Sequence, residues 1–137
     1  MSAASDYLEN VLLDNIFTGT ALPNFGTIWV GLGTAAFNDD FSGSANEVTG
    51  AAYARQALIQ DTAWDPASGG TVNNTGTIEF PQASGGNWGT ITHALLAFGA
   101  TEQAGTLLFH GALTASKVIN DGDIFRFNPA NLTVTFD

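Results

Sequence analysis

No cysteine occurs among the 137 residues, and only three side chains are basic: Arg55, Lys117 and Arg126. The first absence excludes a disulfide scaffold and a thiolate metal site. The second leaves a formal net charge of -10 from 13 carboxylates. Direct nucleic-acid binding needs clustered Lys and Arg to neutralise phosphates, so it is not expected. An anionic membrane surface is disfavoured for the same reason. No apolar run reaches the roughly 20 residues that a membrane-spanning helix needs. The basic start and apolar core of a secretory signal are also missing, so synthesis in a cytoplasm without export by a cleaved signal of this kind is expected.

What is present points to one packed domain. Hydrophobic residues make up 45% of the chain, too many for a disordered segment, and charged residues only 12%. The polar surface is therefore largely Thr, Ser, Asn and Gln, which cost less to desolvate than ions. Such a surface suits a protein that packs against neighbours.

The stretch SDYLENVLLDNIFTG reads as the one helix. Tyr7, Leu8, Val11, Leu12, Ile16 and Phe17 recur at three- and four-residue spacing and define an apolar face. Ser5 or Asp6 is placed to cap its start, Asp6 and Glu9 have capping-box spacing, and Gly19 is placed to end it. After Pro23 the period drops to two. TIWVGLG, YARQALIQ, GTIEFP, TITHALLAFGA, TLLFHGAL, DIFRFN and LTVTFD read as about seven strands, separated by loops rich in Gly, Asn, Asp and Ser. The expected fold is mainly β: an antiparallel β-sandwich or jelly-roll-like domain with one short N-terminal α-helix. Residues 1–22 form the helical arm and residues 23–137 the sandwich, as one structural domain. Asn120-Asp121-Gly122-Asp123 reads as a tight hairpin turn.

Catalytic patterns are hard to find. His93 and His110 are the only histidines, and no nucleophile elbow accompanies them. Asp39, Asp40, Asp61, Asp65, Asp121 and Asp123 are potential calcium ligands, but loop carboxylates more often bond their own turns. Trp29, Trp64 and Trp88 invite comparison with a sugar platform, and the glycines around Trp88 suggest partial exposure; core packing or interface anchoring is the simpler role. No catalytic residue, metal site or cofactor is assigned.

Several segments together carry a resemblance. SDYLENVLLDNIF, TIWVGLGTA, EVTGAAYARQAL, NWGTITHALLAFGA, GTLLFHGALT, INDGD and FRFNPANLTVTFD resemble a family of small tailed-bacteriophage structural proteins, across almost the whole chain. YARQAL and NWGTITH are the most specific pieces. The resemblance implies a virion component and transfers no active site. Its members are described as head-decoration or tail-fibre-like proteins. The leading expectation is a capsid decoration (cement) protein bound to the major capsid protein, because the chain reads as one domain with no shaft or linker. The alternatives are a tail-fibre or baseplate adaptor or receptor binder held by tail proteins, and a carbohydrate-binding module. The role suggests a homo-oligomer, for instance a trimer. Tyr7, Leu8, Val11, Leu12, Ile16, Phe17 and Trp88 are the expected partner-binding residues. Deleting residues 1–18 is expected to reduce incorporation into particles more than it unfolds the sandwich.

Overall fold

The computed structural model describes residues 3–136. The arm and the last strand as read from sequence reach beyond these, to Met1, Ser2 and Asp137. The elements in order are β1 (Ala3–Ala4), α1 (Asp6–Thr18), β2 (Thr27–Gly33), β3 (Gln56–Ile59), β4 (Thr71–Asn73), β5 (Ile78–Glu79), β6 (Gly89–Phe98), β7 (Thr106–Ile119), β8 (Arg126–Phe127) and β9 (Thr133–Thr135). A short 3-10 turn spans Ser44–Asn46.

Five strands form one antiparallel sheet in the order β1-β7-β6-β2-β3. Two ribbons, β4 with β9 and β5 with β8, pack over one of its faces. The sheets do not close into a barrel, so the layered arrangement is the one realised. Alternation in β2 explains the layering. Ile28, Val30 and Leu32 point into the core with Leu96 of β6, Ile78 of β5, Phe127 of β8 and Val134 of β9. At the core's centre Phe80 meets the rings of Tyr53, Trp88, Phe125 and Phe127. The opposite face of the sheet carries a smaller cluster of Phe37, Leu95, Ala97 and Leu107, with Phe41 against it.

The helix forms where its caps say it should. Ser5 is the N-cap: its hydroxyl oxygen accepts from the Leu8 backbone N–H and the hydroxyl donates to the Leu107 carbonyl. Leu8 is therefore the third helical residue, and Glu9 stands one place too late for a capping box. Gly19 ends the helix in the left-handed conformation. Removing the Ser5 hydroxyl costs the cap and the buried bond to the Leu107 carbonyl. Ser5→Ala is expected to lower stability by about 1–2 kcal/mol, read by chemical denaturation. An unchanged midpoint would show that the helix start contributes nothing to the fold.

Two expectations need correction. Asn120–Asp123 does form a turn, closed by Asp123 N–H on the Asn120 carbonyl, but it joins β7 to β8, which pairs with β5 rather than with β7. It is a connection between layers and not a hairpin. Strand β4 arises in a stretch read as loop, where Val72 is the one large apolar residue and pairing with β9 supplies the order.

Candidate functional site

The site candidate closest to the sequence reading is α1. Ser5, Leu8 and the β1–β7 pairing fasten its first turn to the sheet; Ser5 N–H bonds the Leu108 carbonyl and Asp6 N–H the Asp39 carbonyl. Leu8 is buried, and Val11, Leu12 and Asn15 are half-buried. This is one i, i+3, i+4, i+7 stripe, so it accounts for docking. A second apolar set remains outside it: Leu13 is 53% exposed, Ile16 69% and Phe17 78%, with Leu22 following at 45%. Three large apolar side chains at i, i+3 and i+4 thus face solvent at the far end of the helix.

The expected partner-binding set therefore divides. Tyr7, Ile16 and Phe17 are exposed, while Leu8 is enclosed in the chain's own fold. Trp88 is also buried; its indole N–H donates to the Ala51 carbonyl at 2.9 Å and its ring stands edge-on to Tyr53. It is a core residue and offers no stacking face. Leu13 and Leu22 were absent from the expected set. Leu13 could have been found from its spacing to Ile16 and Phe17, once the docked stripe was assigned to Leu8, Val11 and Leu12.

Charge along the helix is one-sided. Asp6 and Glu9 lie in the first turn, where the helix dipole favours them, but no basic residue lies in the last turn. The outer end thus presents an apolar patch beside carbonyl dipoles that no basic side chain of the last turn offsets.

The EVTGAAYARQAL segment holds a buried cluster that sequence reasoning did not identify. Arg55 grips Glu47 with two bonds, Nε to Oε1 and Nη2 to Oε2, both 2.7 Å. Both side chains are fully enclosed. The Tyr53 hydroxyl donates to Glu47 Oε1 at 2.8 Å and accepts from the Leu32 backbone N–H at 2.9 Å. Burial, followed by the Glu47 charge, holds the Tyr53 pKa above the ordinary phenol range. Arg55 also donates to the Gly99 carbonyl, and Glu47 Oε2 accepts from Gln103 N–H. Gly31 makes room for the carboxylate: a Cβ there would stand 2.6 Å from Glu47 Oε1. Each charged group has its partners and solvent is excluded, so the cluster is a clamp. It ties the β6–β7 loop and the 3-10 turn to β2.

The histidines lie on the face away from the main core. His110 Nε2 is 2.6 Å from Asp39 Oδ1, with Asp39 half-exposed, and His93 Nδ1 is 2.8 Å from the Thr92 hydroxyl. Burial, followed by the nearby His110, lowers the His93 pKa from its ordinary 6.5. The folded state therefore favours neutral His93. This contribution to stability is complete above pH 6.5 and declines as pH falls from there toward the lowered folded value. The stability of wild type is expected to fall more steeply below pH 6.5 than that of His93→Asn. Parallel stability–pH curves would remove this role for His93.

Four further loop carboxylates accept hydrogen bonds, two within their own turns and two from other segments. Asp40 accepts from Ser42 N–H, Asp121 from Gly85 N–H, Asp123 from Asn120 N–H and Asp65 from the Thr75 hydroxyl. Among the described residues no group of three His, Asp or Glu side chains could hold a metal ion.

Comparison with known proteins gives one family. The model described as "Podophage GP4 fiber I protein gp80" matches residues 3–135. No curated protein matches the chain.

Proposed function

The chain belongs to the podophage GP4 fiber I protein gp80 family and is a virion structural protein, and from that premise we propose that it is a tail-fibre module attached to a neighbouring tail protein through the outer half of α1. The family's description as a fiber protein supports the tail reading over the capsid-decoration reading that the bare sequence favoured. The observation that carries the attachment is the exposed set Leu13, Ile16, Phe17 and Leu22. Burying two large apolar side chains contributes about 3–6 kcal/mol before entropy is subtracted. A modest contact of that size becomes firm when repeated around a tail. The carbohydrate-module alternative loses one of its proposed aromatics, since Trp88 is enclosed, while Trp64 is half-buried.

A photo-reactive benzoylphenylalanine at position 17 tests the attachment in assembled virions. The expected product is a cross-link to another tail protein. A cross-link to the major capsid protein would return the head-decoration reading. Sedimentation of the free protein separates a homo-oligomer, which the role suggests, from a monomer that gathers only on the tail.

A further inference from the structure

The longest strand contains an irregularity that the fold alone does not explain. Between the pairs Ile91–Lys117 and His93–Ala112, β7 advances five positions while β6 advances two. The surplus residues of β7 are pushed out of register, and the side chains of β6 change face there: Ile91 joins the main core, as do Ala94 and Leu96. Bulges of this kind re-aim side chains and concentrate beside functional sites. Here the irregularity forms one wall of a cleft of ≈ 540 Å³. The other wall is β8 and the turn leading to β9.

The charge of this cleft runs against that of the whole molecule. Of the three basic residues, Arg55 is consumed in the buried clamp. The other two, Lys117 and Arg126, both line the cleft, and no carboxylate side chain among the described residues does. Lys117 is exposed and forms no ion pair among the described residues; its ammonium rests 5.7 Å from the centroid of the Phe125 ring. Arg126 pairs with Glu79 at 2.8 Å, with both side chains about half exposed. Thr114 and Asn131 add a hydroxyl and an amide group to the walls. The volume falls within the range of small-ligand sites, roughly 300–1,000 Å³.

We propose that this cleft binds an acidic saccharide, with the Lys117 ammonium taking a carboxylate and the hydroxyl and amide walls taking ring hydroxyls. A densely charged polyanion is opposed by the field of a -10 molecule, whereas a sugar with widely spaced carboxylates meets the local cations without that repulsion. An acidic peptide would match Lys117 equally well, but it offers Thr114 and Asn131 one amide per residue where a sugar ring offers a hydroxyl on nearly every carbon. The proposal does not depend on where the chain sits in the virion.

The test uses the full chain and a tetrasaccharide of alternating glucuronate and N-acetylglucosamine, followed by calorimetry and amide chemical shifts at low salt. Saturable binding is expected, with shifts centred on residues 111–117 and 125–133. Lys117→Gln is expected to weaken it about tenfold or more, as for loss of a charge-assisted bond. Lys117→Arg should retain most of it, and added salt should weaken it, since the site is exposed. Chitotetraose, which has no carboxylate, should not bind measurably. The proposal is overturned by absent saturation, by an unchanged affinity in Lys117→Gln, by equal binding of chitotetraose, or by tighter binding of an Asp/Glu tetrapeptide.

Discussion

Glu47→Ala is expected to destabilise the protein by about 3–5 kcal/mol, because it strands a buried charge. With both side chains fully enclosed, Arg55 would keep its charge without a counter-ion. The Tyr53 hydroxyl and Gln103 N–H would lose their acceptor in the same step. For a domain of this size that corresponds to a fall of roughly 10 °C or more in the thermal midpoint. The cost comes from the orphaned partners rather than from the pair itself. Replacing both ends with apolar residues, Glu47→Leu with Arg55→Met, still leaves Tyr53 and Gln103 without their acceptor. It removes the stranded charge, the largest part of the cost, and is expected to cost less than Glu47→Ala alone. A double-mutant cycle would reveal the coupling. If Glu47→Ala melted within a degree or two of wild type, the clamp would not be what holds the β6–β7 loop to β2.

The pair Ile16→Ser and Phe17→Ser should have the opposite profile. Both side chains face solvent, so together they are expected to change folding stability by no more than about 0.5 kcal/mol. Incorporation into virions should nevertheless fall at least about tenfold, because each buried large apolar side chain contributes roughly 1.5–3 kcal/mol to a contact. Quantitative immunoblotting of purified particles against melting of the free protein separates the two effects. This comparison is cleaner than deleting residues 1–18. That deletion also removes Ser5 and Leu8, which the sheet needs, and so mixes folding with attachment. Loss of folded protein in step with loss of incorporation would argue that the outer helix belongs to the core.

Local signals in the sequence were readable and long-range ones were not. Ser5 and Gly19 mark the ends of α1 because caps depend on neighbours within four residues. The alternation of Ile28, Val30 and Leu32 identifies β2 and its buried face for the same reason. The face of α1 was read too broadly: seven apolar residues in 13 allow two stripes, and only docking distinguishes Leu8, Val11 and Leu12 from Leu13, Ile16 and Phe17. Trp88 misled because flanking glycines suggest exposure. Gly89 instead supplies a positive φ at the start of β6, and the indole is covered by Tyr53 and Phe80. The clamp was invisible because Glu47, Arg55, Gly99 and Gln103 meet only once the sheet has formed. The cleft depends on a register break between β6 and β7, which no residue type announces.

The most direct test of the account is the position of this chain on the virion. Immunogold labelling of intact particles, with image reconstruction at the labelled sites, reports it without perturbing the fold. A tail-fibre module held by α1 predicts density at the tail, with the outer end of the helix against a neighbouring protein. Density confined to the capsid surface would contradict it.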